Sequence, residues 1–373
     1  MGKFEFTLAT ADDDAELREV LSSTPMTGQI SISFAREPNF FAATPVDGKL
    51  VQIVVGRDVE QGRIVGMGSR TAGPRYVNQQ PTNVGYLGGL RLLAEYRGQG
   101  ALIARGYRFL RQLHADRAAP YYLTTIAADN VVALKTITSG RAGLPTYHSL
   151  GDYVTTSLNP AATSRIDQDS STRISTRLAT IDDREQIITF LNAHGPRRQF
   201  FPAYAAADLF SEQGWLQGLS PGDVMLAFRD DQLVGVWGAW DQSRFKQTII
   251  HSYSRWLALT RPAYNVVANM RKRATLPAPG SILAARYGAI LVVAENDAEI
   301  CRRLIGAMSR ELLQRGDRLV FLGLHAADPL LPIARTIGGR EYVTQLYLVF
   351  WPDQPPDLAE LTQRVPYLEL GCL

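Results

Sequence analysis

A layered α/β (α+β) fold, built twice in tandem, is the class this sequence predicts, and three observations carry the prediction. A length of 373 residues suits two domains, and a composition of 46% hydrophobic and 20% charged residues supplies apolar material for two cores. Short motifs recur in the same order in the two halves. Around residues 90–102 an apolar strand candidate runs into a glycine-bearing turn and then a helix. Strands that alternate with helices in this way pack as layers of sheet and helix.

The duplication begins at Leu8-Ala9-Thr10-Ala11-Asp12-Asp13, matched by Leu178-Ala179-Thr180-Ile181-Asp182-Asp183. In each copy the threonine is placed to cap a helix, and the aspartate three residues on completes a capping box. The apolar register follows, with Leu17, Val20 and Leu21 corresponding to Ile187, Phe190 and Leu191 on one helical face. Next, Ile64-Val65-Gly66 corresponds to Leu233-Val234-Gly235, each after a strand candidate (50–55 and 224–228) and a turn. The third match sets Ala127-Ala128-Asp129 against Ala326-Ala327-Asp328, and Gly140-Arg141 against Gly339-Arg340. It ends with Asp152-Tyr153-Val154-Thr155 against Glu341-Tyr342-Val343-Thr344. Each copy reads strand, helix, polar connection, two or three strands, helix, strand, helix, strand. The repeat divides the chain into a first domain over 1–160, a linker rich in Ser, Thr, Asp and Ala over 161–171, a second domain over 172–353 and a tail over 354–373.

Composition narrows the partners. The net charge of +3 and the lack of basic stretches interleaved with aromatics argue against nucleic acid, and Arg271-Lys272-Arg273 reads as a solvated loop. Cys301 and Cys372 make no disulfide framework, and the dispersed histidines give no ligand spacing, so no metal is expected. No apolar run approaches the ~18 residues of a membrane span, so no membrane partner is expected. The first residues lack a signal-peptide core, and the chain reads as cytoplasmic, a monomer or homodimer.

Residues Leu90 to Leu102 carry the functional signal. A strand that turns tightly into a helix N-terminus points unpaired N–H groups outward, with the positive end of the helix dipole behind them. Glycines at Gly98 and Gly100 let a diphosphate approach that backbone. No Gly-Lys-Ser/Thr follows, which argues against a phosphate-loop nucleotide hydrolase.

The run Glu95-Tyr96-Arg97-Gly98-Gln99-Gly100 resembles the acetyl-CoA pyrophosphate loop of the GNAT-type N-acetyltransferase superfamily, whose pattern is Gln/Arg-x-x-Gly-x-Gly/Ala. Arg97 takes its first position and Gly100 its middle glycine, while Leu102 stands where Gly or Ala is usual. Asn130 and Ala133, after a strand candidate at 121–126, resemble the family's second cofactor motif. The resemblance implies two tandem GNAT-like domains, the second degenerate, each a mixed, mostly antiparallel sheet with splayed middle strands flanked by helices. It implies acetyl-CoA as co-substrate. Backbone groups of Arg91 and Leu92 would hold the pantetheine arm, and the N–H groups of Gly98, Gln99, Gly100, Ala101 and Leu102 the pyrophosphate. The side chains of Arg97 and Asn130 would add polar contacts. The implied reaction is direct attack of a primary amine, of a small molecule or a peptide, on the thioester.

The family's general-acid tyrosine falls on Ile137 here. The residues from Ala142 to Gly151 have no counterpart in the second copy, and their Tyr147 is the candidate replacement acid, with packing beneath the loop as its other reading. The strand at 85–93 carries no Asp or Glu, so the base stays open among Glu95, Glu37, Asp129 and a water chain. Arg105, Arg108 and Arg111 read as a solvated face or as contacts to a 3′-phosphate. In the second copy Glu295, Asp297 and Glu299 replace the glycines and Pro329 replaces the asparagine, so that copy is not expected to bind CoA. The aromatics Trp215, Trp237, Trp240, Phe245, Tyr253 and Trp256 read as core, interface or acceptor pocket. Two functions stay open: an N-acetyltransferase working through the first copy, and a non-catalytic acyl-CoA-binding or sensing protein that keeps the fold.

Overall fold

The computed structural model describes residues 3–138, 140, 143–166 and 173–373. Arg141, Ala142 and the linker from 167 onward lie outside the described residues. The first copy comprises β1 (Phe4–Leu8), α1 (Asp14–Ser22), β2 (Ile30–Ala35), α2 (Thr44–Asp47), β3 (Leu50–Asp58), β4 (Arg63–Val77), β5 (Gln80–Leu92), α3 (Gly100–His114), β6 (Tyr122–Ala127), α4 (Val131–Ile137) and β7 (Thr146–Leu158), followed by α5 (Pro160–Thr163). The second comprises β8 (Ile174–Leu178), α6 (Arg184–His194), β9 (Val224–Arg229), β10 (Gln232–Trp240), β11 (Gln247–Tyr253), α7 (Arg255–Met270), β12 (Arg286–Val293), α8 (Ala298–Arg315), β13 (Val320–His325), α9 (Leu331–Ile337) and β14 (Glu341–Phe350). A short α10 (Leu358–Leu361) follows.

Both capping boxes form. The Thr10 N–H donates to Asp13 Oδ2 at 2.8 Å, and the Thr180 N–H to Asp183 Oδ2 at 2.7 Å. Each opens a 3-10 turn that leads into α1 or α6, whose predicted apolar faces are buried. Arg177 also grips Asp183 and holds its carboxyl well below the usual carboxylate range.

The two copies share one sheet. Twelve strands run in the order β1-β3-β4-β5-β6-β14-β7-β13-β12-β10-β9-β8. The last strand of each copy crosses into the other half, so that β14 pairs with β6 and β7 with β13. These two strands pair antiparallel with each other, Val154 opposite Val343. The repeated segments around Val154 and Val343 are therefore partners in space, related by a pseudo-twofold axis between them. Val154 is buried with the α8 and α9 side chains, while Leu346 and Leu348 of β14 are buried with Val84 and Leu123 of the first copy. The sequence boundary at 160–172 does not divide the sheet.

Two expectations change here. Within the Ala142–Gly151 stretch, Thr146 to Ser149 are strand rather than loop: they extend β7 and pair with Phe350 to Tyr347 of β14. The exchanged strand needs that extra length for its ladder partners. The tail over 354–373 does not stand apart either. Tyr367, Leu368, Glu369 and Cys372 are buried. A two-stranded antiparallel sheet, β2 with β11, ties the copies together on one face.

Candidate functional site

The parallel strands β5 and β6 pair only at Gly85↔Tyr122 and Tyr86↔Leu123, then part. β12 and β13 repeat this at Arg286↔Val320 and Tyr287↔Phe321. Each copy thus has an open wedge in mid-sheet. A buried polar network braces the base of the first. Arg70 pairs with Asp116 at 2.6 Å and donates from Nε to the Tyr122 hydroxyl at 2.9 Å. That hydroxyl shares a hydrogen bond of 2.8 Å with His114 Nδ1. Burial holds His114 below the ordinary histidine pKa, which favours the neutral imidazole.

A bulge follows in both copies. The β4–β5 register passes from Ser69↔Gly88 to Met67↔Arg91, skipping Gly89 and Leu90. The β10–β12 register passes from Gly238↔Ala289 to Val236↔Val292. Gly89 (φ 60°) and Ile290 (φ 48°) are therefore equivalent. Glycine takes this left-handed backbone freely, whereas a β-branched residue is strained there. In the second copy Glu369 Oε2 anchors the bulge, accepting the Ile290 N–H at 3.0 Å and the Tyr204 and Tyr367 hydroxyls at 3.0 and 2.8 Å. The segment around it continues across the sheet. Tyr153 donates to the Leu368 carbonyl at 3.1 Å, Gln242 to that of Gly371 at 2.8 Å, and Lys246 to that of Leu373 at 2.9 Å. The second wedge is covered by the chain's own tail.

In the first copy β5 leads through a 3-10 turn (Ala94–Tyr96) and an extended Arg97 to Gly98, whose φ is 85°. α3 then starts at Gly100, and no side chain caps it. Arg97 and Gly98 are exposed, and the N–H groups of Gly98 and Ala101 have no acceptor among the described residues. Leu102 departs from its expected role. Its N–H donates to the Gln99 carbonyl at 2.9 Å, so it is not presented to a ligand. Its side chain is buried against Phe4, Val65 and Tyr96, because it heads the core-facing stripe of α3 with Leu110 and His114. The Gln99 N–H faces the Tyr96 carbonyl at 3.4 Å. Nothing stands within 4 Å of where a Gly98 side chain would begin.

The other named residues spread along the wedge. Arg91 lies over the Phe34 ring at 5.8 Å and donates to the Leu90 carbonyl, and its Nε has no acceptor among the described residues. Leu92 is half-buried, and its carbonyl accepts Arg97 Nε at 3.3 Å. Asn130 caps α4, its Oδ1 accepting the Ala133 N–H at 3.1 Å. The Asn130 N–H reaches back to the Ala127 carbonyl just as the Asp328 N–H reaches back to that of His325. Asp328 binds Arg198 at 2.7 Å in a buried ion pair, so the second copy uses this position for cohesion. Arg105 donates to the Phe4 carbonyl, and Arg111 pairs with Asp353 and lies over Trp351.

Tyr147 packs against the cluster that holds Tyr122, Ile126 and Val349, and its ring meets that of Tyr347 edge-on at 5.9 Å. Its hydroxyl meets that of Tyr107, from α3, at 2.5 Å. Burial pushes both phenols above their ordinary pKa, Tyr147 well above it. Ile137 is buried. Among the base candidates, Glu95 is tied to Arg63 at 2.6 Å and Glu37 to Arg18 at 2.9 Å, both on the surface, while Asp129 is exposed in the turn after β6. The sequence reading missed Tyr86, whose hydroxyl bridges to Thr125 Oγ1 across the wedge at 2.8 Å. Its place on the strand at 85–93 was the available signal. Trp215, Trp237, Trp240 and Phe245 are core, whereas Trp256 is 73% exposed. Among the described residues no group of His, Cys, Asp or Glu gathers to hold a metal.

No protein-family model and no curated protein matches the chain. Solved structures do. Saccharomyces cerevisiae N-myristoyltransferase with bound myristoyl-CoA superposes with a TM-score of 0.58 at 10% identity, over 99% of this chain and 90% of that one. A GCN5-related N-acetyltransferase from Anabaena variabilis gives 0.51 at 11% identity, over 92% and 72%. The GCN5-related glucosamine N-acetyltransferase region of a fungal multi-domain GH3 β-N-acetylglucosaminidase gives 0.60 at 12% identity, over 93% of this chain and 38% of that one. The likeness is one of fold: a GNAT architecture, built in tandem.

Proposed function

We propose that this tandem GNAT fold serves an acyl-CoA-dependent N-acyltransferase whose donor site is the first wedge, with acetyl-CoA as donor and a primary amine as acceptor. One observation carries the reading. The first wedge opens beside bare amides at the α3 N-terminus, while the equivalent wedge is covered by Glu369 and its neighbours. The residues present fit a diphosphate, since Gly98 and Ala101 offer N–H groups and Leu102 is turned into the core. The related yeast structure holds myristoyl-CoA, which supports a CoA thioester as ligand.

In this reading the pantetheine arm lies along the free edge of β5 as an added strand would. The bulge at Gly89 and Leu90 turns backbone N–H groups away from β4, toward the place where negative charge grows on the thioester oxygen. The amine nitrogen attacks the carbonyl carbon, the C–N bond forms and the C–S bond breaks. Tyr147 gives its proton to the leaving thiolate, and the proton lost by the amine passes to water. No carboxylate stands on β5 or β6, which leaves water as the proton acceptor in this reading.

The second reading, an acyl-CoA-binding protein without turnover, draws on that same shortage of a base. Calorimetric titration with acetyl-CoA and myristoyl-CoA tests donor binding and acyl length. Thiol release over a panel of amines then separates enzyme from sensor. Absence of binding to either thioester rejects both readings.

A further inference from the structure

Helix α7 is amphipathic in the inverted sense. Its inner face carries Leu257 and Ala268 together with polar side chains bound to the following segment, Arg261 Nε and Asn265 Nδ2 both donating to the Leu276 carbonyl at 3.0 Å. Its outer face carries Trp256, Leu259, Val266 and Met270, which are 73%, 81%, 61% and 80% exposed. With the exposed Ala263 these positions recur every three or four residues and fall within an arc of about 100°. Exposure removes Trp256 from the core reading that holds for Trp215, Trp237, Trp240 and Phe245.

The charge along this segment of the chain has one sign. No Asp or Glu occurs between Asp241 and Glu295. Arg255 stands at the start of α7, and Arg271, Lys272 and Arg273 follow its end, all exposed and without ion pairs among the described residues. A second copy of the chain docking on this face would bring basic ends together in either orientation, with no acid in the segment to offset them. An anionic bilayer surface offers the complementary arrangement, an apolar interior for the stripe and phosphates for both ends.

We propose that α7 is a peripheral docking helix for anionic phospholipid surfaces, lying in the interface with Trp256, Leu259, Val266 and Met270 inserted. Among the described residues no helix is long and apolar enough to cross a membrane, and a helix that lies in the interface need not be. α7 follows β11, which pairs with β2 of the first copy, so docking fixes the orientation of both copies at the bilayer.

The test uses the whole protein with vesicles of phosphatidylcholine alone or mixed with phosphatidylglycerol. The proposal expects co-sedimentation with the mixed vesicles only, weakening as salt rises, and a blue shift of tryptophan emission that is lost in Trp256→Phe. The double variant Leu259→Asp, Met270→Asp should partition at least about tenfold less while keeping the parent's thermal melting, since both side chains are exposed. Equal binding to neutral vesicles, no binding to anionic ones, or unchanged partitioning of a folded double variant overturns it. So does a homodimer in sedimentation velocity that Leu259→Asp dissolves, because a second copy would then cover the face. If the double variant fails to fold, the salt dependence and the Trp256→Phe spectrum of otherwise intact protein still decide.

Discussion

Glu369 Oε2 accepts the N–H of Ile290 at 3.0 Å, at the bulge position that Gly89 occupies in the first copy. Two wedges of the same construction thereby have different fates. One is covered by a tail with a buried carboxylate, and the other keeps its strand edge and helix N-terminus available.

Removing that carboxylate is expected to destabilise the whole molecule. Glu369→Ala leaves the Ile290 N–H and two tyrosine hydroxyls without their acceptor, at about 1 kcal/mol or more each, so a loss of about 3 kcal/mol is expected. Glu369→Gln retains an acceptor and should lose less. Equilibrium denaturation of the pair checks the order.

Gly98→Val acts on the proposed donor loop with little effect on the core, since nothing lies within 4 Å of where its Cβ would stand. Its φ of 85° disfavours any side chain, at a cost of about 1–2 kcal/mol. A valine there also stands among the bare amides. Acetyl-CoA affinity is expected to fall at least about tenfold with the fold intact, read by calorimetry. Undiminished affinity would place the donor elsewhere.

Tyr147→Phe removes the proton proposed for the departing thiolate. Turnover should fall by about 10²–10⁴, with acyl-CoA binding unchanged. Because burial holds the phenol well above 10, no loss of activity on the alkaline side should trace to Tyr147 below that pH. Unchanged turnover would leave Tyr147 and Tyr107 as a packing pair.

His114 sets a pH dependence of known sign. Its folded pKa lies below the ordinary 6.5, so the unfolded chain takes up the proton first on acidification. Its stabilising contribution is present above 6.5 and is lost as pH falls toward the folded value. Glu369 has the opposite sign, since burial raises its pKa. The stability gap between the parent and His114→Gln should therefore narrow below about 6.5. A gap constant from pH 7 to pH 5 would contradict the neutral, Tyr122-bound imidazole.

The sequence by itself determined what is local. The Thr10 and Thr180 capping boxes, the buried faces of α1 and α6, and the strand–turn–helix around Gly98 follow from interactions within a few residues, and all are formed. The repeat was legible because each copy must satisfy the same local rules. Tertiary structure alone decided which wedge stays open and where each copy ends. Strand exchange puts Val154 opposite Val343 across nearly 200 residues of chain. The seal on the second wedge brings Glu369 to Ile290 from 79 residues away. Ladder pairing and burial of a carboxylate depend on what lies across the gap, and no periodicity within a segment encodes its partner. The direction of Leu102 was settled by the same means: the cavity formed by Phe4, Val65 and Tyr96 fixes it in the core.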